Sequence, residues 1–145
     1  QRAQGVGEKL TPMACGGLFW LVILQPCPGL STREVFGRFR LDARENRPDT
    51  QAAATALAAG DWRGLCRSLG NVLQGVSAEL RPEIGEGIAA LREHGAAGAW
   101  MTGSGSAVFG LFTRAQVARE AQQELHQRWR SCFMTHTCQE SVLLD

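Results

Sequence analysis

The stretch Trp100-Met-Thr-Gly-Ser-Gly-Ser-Ala-Val-Phe-Gly-Leu-Phe112 predicts a strand, a tight loop and a second strand. Residues 99–101 lead into the loop, and residues 107–112 leave it with the β-forming side chains of valine and phenylalanine. Two such strands separated by a few glycine and serine residues are typical of an antiparallel pair. The sheet must then draw its other strands from elsewhere in the chain.

The loop consists of Thr102, Gly103, Ser104, Gly105 and Ser106, and it is the candidate functional site. Its two glycines can adopt positive φ and allow a ligand to approach the backbone closely. Its main-chain N–H groups, together with the hydroxyls of Thr102, Ser104 and Ser106, are short donors that could converge on a phosphate. A plain glycine- and serine-rich turn is the commoner explanation of such a loop, so the pattern alone assigns no function.

Length and composition fit one globular domain. The chain has 145 residues, of which 44% are hydrophobic and 20% charged, which is enough to build a core. A net charge of +1, with the basic residues scattered, leaves no electrostatic footprint for nucleic acid or a membrane surface, so neither partner is predicted. The longest apolar run, residues 16–24, is too short to cross a bilayer and predicts a buried strand.

The cysteines are odd in number and irregular in spacing. They are Cys15, Cys27, Cys66, Cys132 and Cys138. The sequence holds no CxxC pair, so neither a zinc ribbon nor a redox motif is predicted. Cys132, His136 and Cys138 lie close together in sequence, but no second pair of ligands is visible. We therefore expect no metal site, and reduced thiols in a cytosolic core.

One further strand is predicted near each end of the chain. Leu18–Leu24 is apolar on both faces, which indicates a strand in the middle of the sheet. Two prolines, Pro26 and Pro28, end it because proline cannot donate to the ladder. Residues 132–138, rich in phenylalanine and threonine, predict the last strand.

Capping signals predict the helices that connect these strands. The first begins at Ser31 or Thr32, has Glu34 in the capping-box position, and presents Val35, Phe36 and Phe39 as its apolar face. The second covers residues 51–59, with Asp49 or Thr50 as its cap and Gly60 as its end. The third begins at Asp61 and carries the stripe Leu65, Leu69, Leu73, Val76 and Leu80. The fourth begins at Pro82, buries Ile84, Ile88 and Leu91 and ends before Gly95, and the fifth covers residues 114–129 with Thr113 as its cap.

Without the additional helices the element order is βαββαβ, which is the split β-α-β arrangement of ferredoxin-like folds. We predict an α+β domain in which one antiparallel sheet is covered by helices. We assign residues 1–15 to a lead-in segment and residues 16–145 to the domain itself.

The chain offers no complete catalytic set. Ser104 lies between two glycines, which is half of a hydrolase nucleophile elbow, but a strand follows it rather than a helix. A phosphate-binding loop with a lysine is absent from the sequence. His94 and His126 are predicted at the surface, and Asp49 and Asp61 are explained as helix caps. The residues alone predict a loop that contacts a ligand.

Four segments carry a resemblance to a known family. They are Gly5–Met13 (GVGEKLTPM), Leu21–Phe36 (LVILQPCPGLSTREVF), Ala58–Gln74 (AAGDWRGLCRSLGNVLQ) and Met101–Phe112 (MTGSGSAVFGLF). In this order they resemble the C-terminal half of kinases of the GHMP superfamily, and they are most similar to the 4-diphosphocytidyl-2-C-methyl-D-erythritol kinase family. The last segment resembles the glycine-rich third motif of the superfamily, and the first two are characteristic of the methylerythritol branch.

The resemblance implies a kinase that uses ATP and Mg²⁺ to phosphorylate the 2-hydroxyl of a small cytidine-diphosphate substrate, on the non-mevalonate route to isoprenoid precursors. It implies that the loop Thr102–Ser106 lies at the phosphate end of the cleft, lined by Gly103, Ser104, Gly105 and Ser106. It also implies that Phe36 packs on the cytidine moiety. Phe36 as a simple core residue is an equally good expectation.

The family's main phosphate loop, catalytic Lys and catalytic Asp belong to its N-terminal half, and nothing in this chain matches them. We therefore expect residues 1–15 to come from that half, which would be the partner of this domain. We expect the chain alone to be inactive and to bind nucleotide weakly at best. Val72 and Gln74 depart from the family, because acidic residues are common at their positions. The resemblance is compatible with the bacterial cytoplasm or the plastid stroma.

Two other interpretations stay open. One is a different small-metabolite kinase of the same superfamily. The other is a stand-alone ferredoxin-like module that binds a small ligand or dimerises through its sheet.

Overall fold

The computed structural model describes residues 2–5, 8–40 and 47–138. Residues 6–7 of the first predicted turn, most of the predicted loop at 41–48 and the tail 139–145 lie outside the described residues. In chain order the elements are β1 (Arg2–Gln4), β2 (Lys9–Thr11), β3 (Trp20–Leu24), α1 (Thr32–Arg38), α2 (Thr50–Ala59), α3 (Trp62–Ser68), α4 (Gln74–Leu80), α5 (Pro82–Glu93), β4 (Gly98–Met101), β5 (Val108–Phe112), α6 (Ala115–Arg128) and β6 (Cys132–His136).

A four-stranded antiparallel sheet forms the centre of the fold, in the order β4-β5-β3-β6. β3 lies between two partners, with Leu24 opposite Val108 of β5 and opposite Cys132 of β6. This is the strand order of a ferredoxin-like βαββαβ fold, with the first strand of the motif inside the sheet. The predicted fold class is confirmed, and the strand that is apolar on both faces lies mid-sheet as its sequence indicates. β1 and β2 form a separate antiparallel hairpin.

Helices cover both faces of the sheet, because side chains alternate between the faces along each strand. On the first face, α5 and α6 pack over Val22, Met101 and Phe112 to form the larger core. On the second face, α2 and α3 pack over Trp100 and Leu111. The half of the second face formed by β6 is more open, and the Phe133 side chain there is 63% exposed.

The predicted caps of the short helices are confirmed in part. The Ser31 side chain accepts the Glu34 N–H at the start of α1, and Asp49 and Asp61 accept the N–H groups of the third residues of α2 and α3. Gly60 ends α2 in the left-handed region, with φ of 68°. The cap predicted for α6 was wrong, since Arg114 and not Thr113 takes the capping position and makes no side-chain hydrogen bond. Thr113 directly follows Phe112, so its backbone is still leaving β5.

The single helix predicted after Asp61 is wrong, because the chain forms α3 and α4 with a break between them. The leucine stripe serves two cores on opposite faces of the sheet. Leu65 and Leu69 pack in the second-face cluster, whereas Leu73, Val76 and Leu80 pack in the first-face cluster. One straight helix could not present one stripe to both faces, and the break carries the chain across.

Within the described ranges, the structure contains no helix that is both long and apolar enough to span a membrane.

Candidate functional site

The loop between β4 and β5 begins and ends with backbone hydrogen bonds. Thr102 N–H donates to the Ala107 carbonyl at 2.9 Å, and Gly105 N–H donates to the Thr102 carbonyl at 3.2 Å. Gly103 and Gly105 have φ of 59° and 93°, values that L side chains rarely adopt. The peptide bond between Gly105 and Ser106 is cis. The predicted strand–loop–strand is thus present, and its two glycines occupy the positions that need their freedom.

The three hydroxyls of the loop have different surroundings. Ser104 Oγ lies 3.0 Å from Thr32 Oγ1 at the start of α1 and remains partly accessible. Thr102 is exposed. Ser106 is only 1% exposed, and its hydroxyl donates to the Cys27 carbonyl. In this structure the Ser106 hydroxyl therefore holds the loop against the turn after β3 and is not available to a ligand.

Side chains from the connection between α3 and α4 and from α4 itself hold the β4 end of the loop. Asn71 Nδ2 donates to the carbonyls of Met101 and Gly103, at 2.9 and 2.8 Å. Gln74 Oε1 accepts the Met101 N–H at 3.0 Å, and the fully buried Ser77 donates its hydroxyl to the Ser104 carbonyl at 3.0 Å. These contacts also satisfy Met101 at the outer edge of β4, a strand that pairs only with β5 among the described strands.

Sequence reasoning missed these three side chains. The signal that could have found them was Gly70-Asn71, a turn-forming pair inside the leucine stripe. Gln74, one of the two positions at which the sequence departs from the family, accepts a hydrogen bond from β4.

A cavity of about 600 Å³ opens beside the loop. It is lined by Thr32, Phe36, Phe39, Pro48, Gly70, Asn71, Val72, Leu73, Gly103 and Ser104. Of the predicted site residues, the cavity brings together Gly103, Ser104 and Phe36, whereas Thr102, Gly105 and Ser106 lie in the loop but do not line it. A flat apolar wall thus faces a hydrogen-bonding loop across one opening.

Phe36 is not a core residue. Its side chain is 57% exposed, and Val35 is the residue of α1 that is buried. The expectation that Phe36 belongs to the apolar face of the helix is wrong, because α1 is a single short stretch that turns only one position fully inward. An exposed phenylalanine at the mouth of a cavity is available to stack on a planar ligand.

The described residues that line the cavity are uncharged. An anion in it would meet the N–H groups of the loop and the Ser104 hydroxyl, and the described lining adds no cationic or acidic residue. Within the described part of the chain, this cavity therefore offers hydrogen bonds and no charge to balance a phosphate.

The titratable groups with altered pKa values lie away from this cavity. Burial raises the pKa of the Cys132 thiol to about 11. Burial also raises the pKa of the Cys66 thiol, and the Arg67 guanidinium partly offsets that effect. Both thiols are disfavoured as thiolates, which is typical of structural cysteines.

Cys132, His136 and Cys138 lie close together in sequence, and the surroundings of the first two are structural. Cys132 is buried in the first-face core, and the His136 ring packs edge-on against Trp20 with centroids 5.1 Å apart. Across the described ranges, no three His, Cys, Asp or Glu side chains come together as possible metal ligands. His94 is half-buried and lies 3.1 Å from Glu124 Oε2, while His126 is exposed.

A ferredoxin-like sheet that carries a glycine-rich loop beside an apolar cavity defines an α+β domain suited to binding a small molecule. Residues 53–131 match the family model described as GHMP kinases C terminal, and the chain belongs to this family. The predicted resemblance is confirmed.

Curated relatives and a solved structure agree with this family. The chain is 37% identical over 113 residues to a 4-diphosphocytidyl-2-C-methyl-D-erythritol kinase of Bacillus cytotoxicus, covering 75% of this chain and 37% of the relative. It is 33% identical over 136 residues to the enzyme of the same name from Caldicellulosiruptor saccharolyticus, covering 94% of this chain and 47% of the relative. The chain thus spans less than half the length of these relatives.

A crystal structure of a 4-(cytidine 5'-diphospho)-2C-methyl-D-erythritol kinase superposes on 92% of this chain, with a TM-score of 0.76 and 31% sequence identity. The superposition covers 48% of that crystallised chain. The fold described above is therefore the fold of about half of that kinase.

Proposed function

We propose that this chain is the C-terminal half of an ATP-dependent kinase that phosphorylates 4-diphosphocytidyl-2-C-methyl-D-erythritol, a step in making isoprenoid precursors. The names of the relatives support this substrate, and their greater length supports a second half. The observation that carries the proposal is one cavity in which Phe36 faces Gly103 and Ser104. This arrangement suits a ligand that joins a planar base to phosphate groups.

In this proposal the loop donates hydrogen bonds to a phosphate group. The N–H groups of Gly103 and Ser104 and the Ser104 hydroxyl are neutral donors at the cavity wall. Catalysis of phosphoryl transfer rests mainly on positioning and on stabilising charge at the transferred group. Gly105 and Ser106 would act by shaping the loop, and Thr102 would lie at its open side. Phe36 would stack on the cytosine ring.

The remaining catalytic parts are proposed to belong to the other half. The catalytic Asp, the catalytic Lys and the main phosphate loop of the family have no match in this chain. ATP brings Mg²⁺ to kinases of this kind, but the described lining residues include no carboxylate, so this wall of the cavity does not fit a Mg²⁺ site. We therefore assign residues 1–15 to the connection with the other half and residues 16–145 to this domain. The relatives named above are bacterial, which favours the bacterial cytoplasm over a plastid.

The first test extends the coding sequence upstream and assays the longer protein. We expect it to transfer phosphate from ATP to the cytidine-diphosphate substrate, while the 145-residue chain alone transfers none. Transfer to another small alcohol instead would favour a different kinase of the superfamily. No transfer by the longer protein, or transfer by the chain alone, would contradict the proposal, and a start codon at the boundary would favour a stand-alone module.

The second test concerns Phe36. In the longer protein, Phe36→Ala should weaken CDP binding by about 1–3 kcal/mol, the usual contribution of stacking between a base and an aromatic side chain. Phe133→Ala is the matched control, because Phe133 is 63% exposed and lies on β6, away from the cavity. Equal affinities of the two variants, measured by calorimetry, would exclude Phe36 from the substrate site.

A further inference from the structure

The loop is held in place chiefly through its carbonyl groups. Four successive carbonyl oxygens accept hydrogen bonds from within the chain. Asn71 Nδ2 donates to the carbonyls of Met101 and Gly103. Gly105 N–H donates to the Thr102 carbonyl, and the Ser77 hydroxyl donates to the Ser104 carbonyl. The N–H groups of Gly103, Ser104 and Ser106 take part in none of these bonds. The loop is thus fixed chiefly by its acceptors, whereas three of its five N–H groups make none of these bonds.

Bonded carbonyl groups and unused N–H groups are the arrangement that an anion-binding loop requires. A phosphate is bound by main-chain N–H groups that point toward it, while a carbonyl oxygen in the same place repels it. In a flexible glycine-rich loop each peptide plane can rotate, so that a carbonyl oxygen takes the direction in which an N–H group pointed. A side-chain donor bonded to a carbonyl oxygen stops that rotation.

The orientation of the Asn71 amide follows from its own contacts. Asn71 Oδ1 accepts the Leu73 N–H at 3.0 Å, which leaves Nδ2, with its two donor hydrogens, facing the two carbonyls. Both hydrogens of Nδ2 are used, one for each carbonyl. Ser77 is fully buried in α4, so its hydroxyl has no access to water and is committed to Ser104.

We propose that Asn71 and Ser77 are positioning residues that hold the carbonyls of the loop away from the cavity and so turn its N–H groups toward a phosphate. The inference rests on the proposed function, since it assumes that the loop binds phosphate groups. It adds that the break between α3 and α4 exists to bring these donors to the loop, and that neither side chain needs to touch the ligand through its polar atoms.

The chain offers a matched pair of substitutions for testing this. Ser77→Ala removes a buried hydroxyl that donates to the loop. Ser68→Ala removes a buried hydroxyl of α3 that donates to the Gly64 carbonyl inside its own helix, at 2.8 Å. Asn71→Leu is a second variant of similar size, which removes both hydrogen bonds to the loop and adds no charge to the cavity that Asn71 lines.

The measurement is a pyrophosphate titration of the longer protein used in the phosphorylation assay, followed by the ¹⁵N and ¹H shifts of Gly103 and Ser104. All proteins are compared where they are fully folded, so a general loss of stability does not alter the apparent Kd. We expect Ser77→Ala to weaken binding about fivefold or more and Asn71→Leu to weaken it further, as the loss of one hydrogen bond and of two hydrogen bonds predicts. Ser68→Ala should stay within about twofold.

Two results would overturn the inference. One is equal binding by the unaltered longer protein, Ser77→Ala and Asn71→Leu, which would leave the loop as a phosphate site that needs no such residues. The other is binding of pyrophosphate by the unaltered longer protein without any shift at Gly103 or Ser104. The phosphorylation assay of the longer protein tests the proposed kinase activity separately. A failure of the proposed function can therefore be distinguished from either of these two results.

Discussion

Gly103 and Gly105 both have a positive φ, but their surroundings differ. A Cβ atom on Gly103 would meet no heavy atom within 4 Å, so this position faces open space. A Cβ atom on Gly105 would lie 2.9 Å from Met101 Sδ and 3.3 Å from Ile84 Cδ1. The first glycine keeps room for a ligand, whereas the second allows the loop to pack on the core.

These surroundings predict different costs for two alanine substitutions. Gly103→Ala should lower the free energy of unfolding by about 1–2 kcal/mol, the cost of a left-handed non-glycine residue. Gly105→Ala should cost about 2–4 kcal/mol, because overpacking adds to the same backbone strain. Urea denaturation measures both. Gly85→Ala, in the interior of α5 with nothing within 4 Å of its Cβ, is the control and should stabilise slightly. Equal losses at positions 103 and 105 would contradict this view of the loop.

Cys132 couples stability to alkaline pH. Its side chain is 1% exposed, and burial raises its pKa from 9.0 to about 11. The unfolded chain therefore loses this proton at lower pH than the folded chain does. Stability should be fully present below pH 9.0 and should fall by up to about 3 kcal/mol as the pH rises toward 11.

The measurement compares the pH dependence of urea denaturation in the unaltered chain and in Cys132→Ala. The sequence has no tyrosine and Lys9 is its only lysine, but it has four other cysteines, and burial also raises the pKa of the Cys66 thiol. The difference between the two proteins isolates the contribution of Cys132. Cys132→Ala should be less stable near neutral pH because it loses core packing, but its stability should decline less above pH 9.0. Identical slopes for the two proteins would show that Cys132 does not carry the effect.

At the scale of the secondary-structure elements, the start of α3 depends on one carboxylate. Asp61 Oδ1 accepts the Gly64 N–H at 3.0 Å and satisfies a main-chain donor that the helix itself cannot. Asp61→Ala should reduce the free energy of unfolding by about 1 kcal/mol. Asp61→Asn keeps an acceptor and should lose about half of that or less. Chemical denaturation compares the two, and equal losses would mean that the charge of Asp61, and not its hydrogen bond to Gly64, stabilises the helix.

Local signals predicted most elements, because a cap or an alternation pattern acts within a few residues. Ser31, Asp49, Gly60 and Asp61 each sit where their side chain or backbone is needed, and the strands around the loop follow their β-forming residues. The break at Asn71 could not be predicted in this way. Its reason is a contact with Gly103, more than 30 residues away in the chain, and a helical stripe alone does not show which core each leucine joins.

At the scale of the whole molecule, the order of strands and helices was enough to predict the ferredoxin-like sheet, since few topologies satisfy βαββαβ. The glycine-rich loop was also predictable as a candidate site. The cavity was not, because Phe36 and Gly103 meet only after the sheet has brought α1 and the β4–β5 loop to the same place. The uncharged lining likewise depends on which residues the fold assembles there.

The central position of β3 determines when this domain can fold during its synthesis. The nearest strand that pairs with β3 is β5, about 80 residues later, so at 5–20 residues per second the ribosome needs about 4–16 s to deliver it. During that interval the segment Trp20–Leu24 has emerged without either neighbour. The second neighbour, β6, follows β5 after about 20 further residues. The sheet therefore forms only after β5 and β6 have emerged, and until then an apolar strand remains available to chaperones or to other nascent chains.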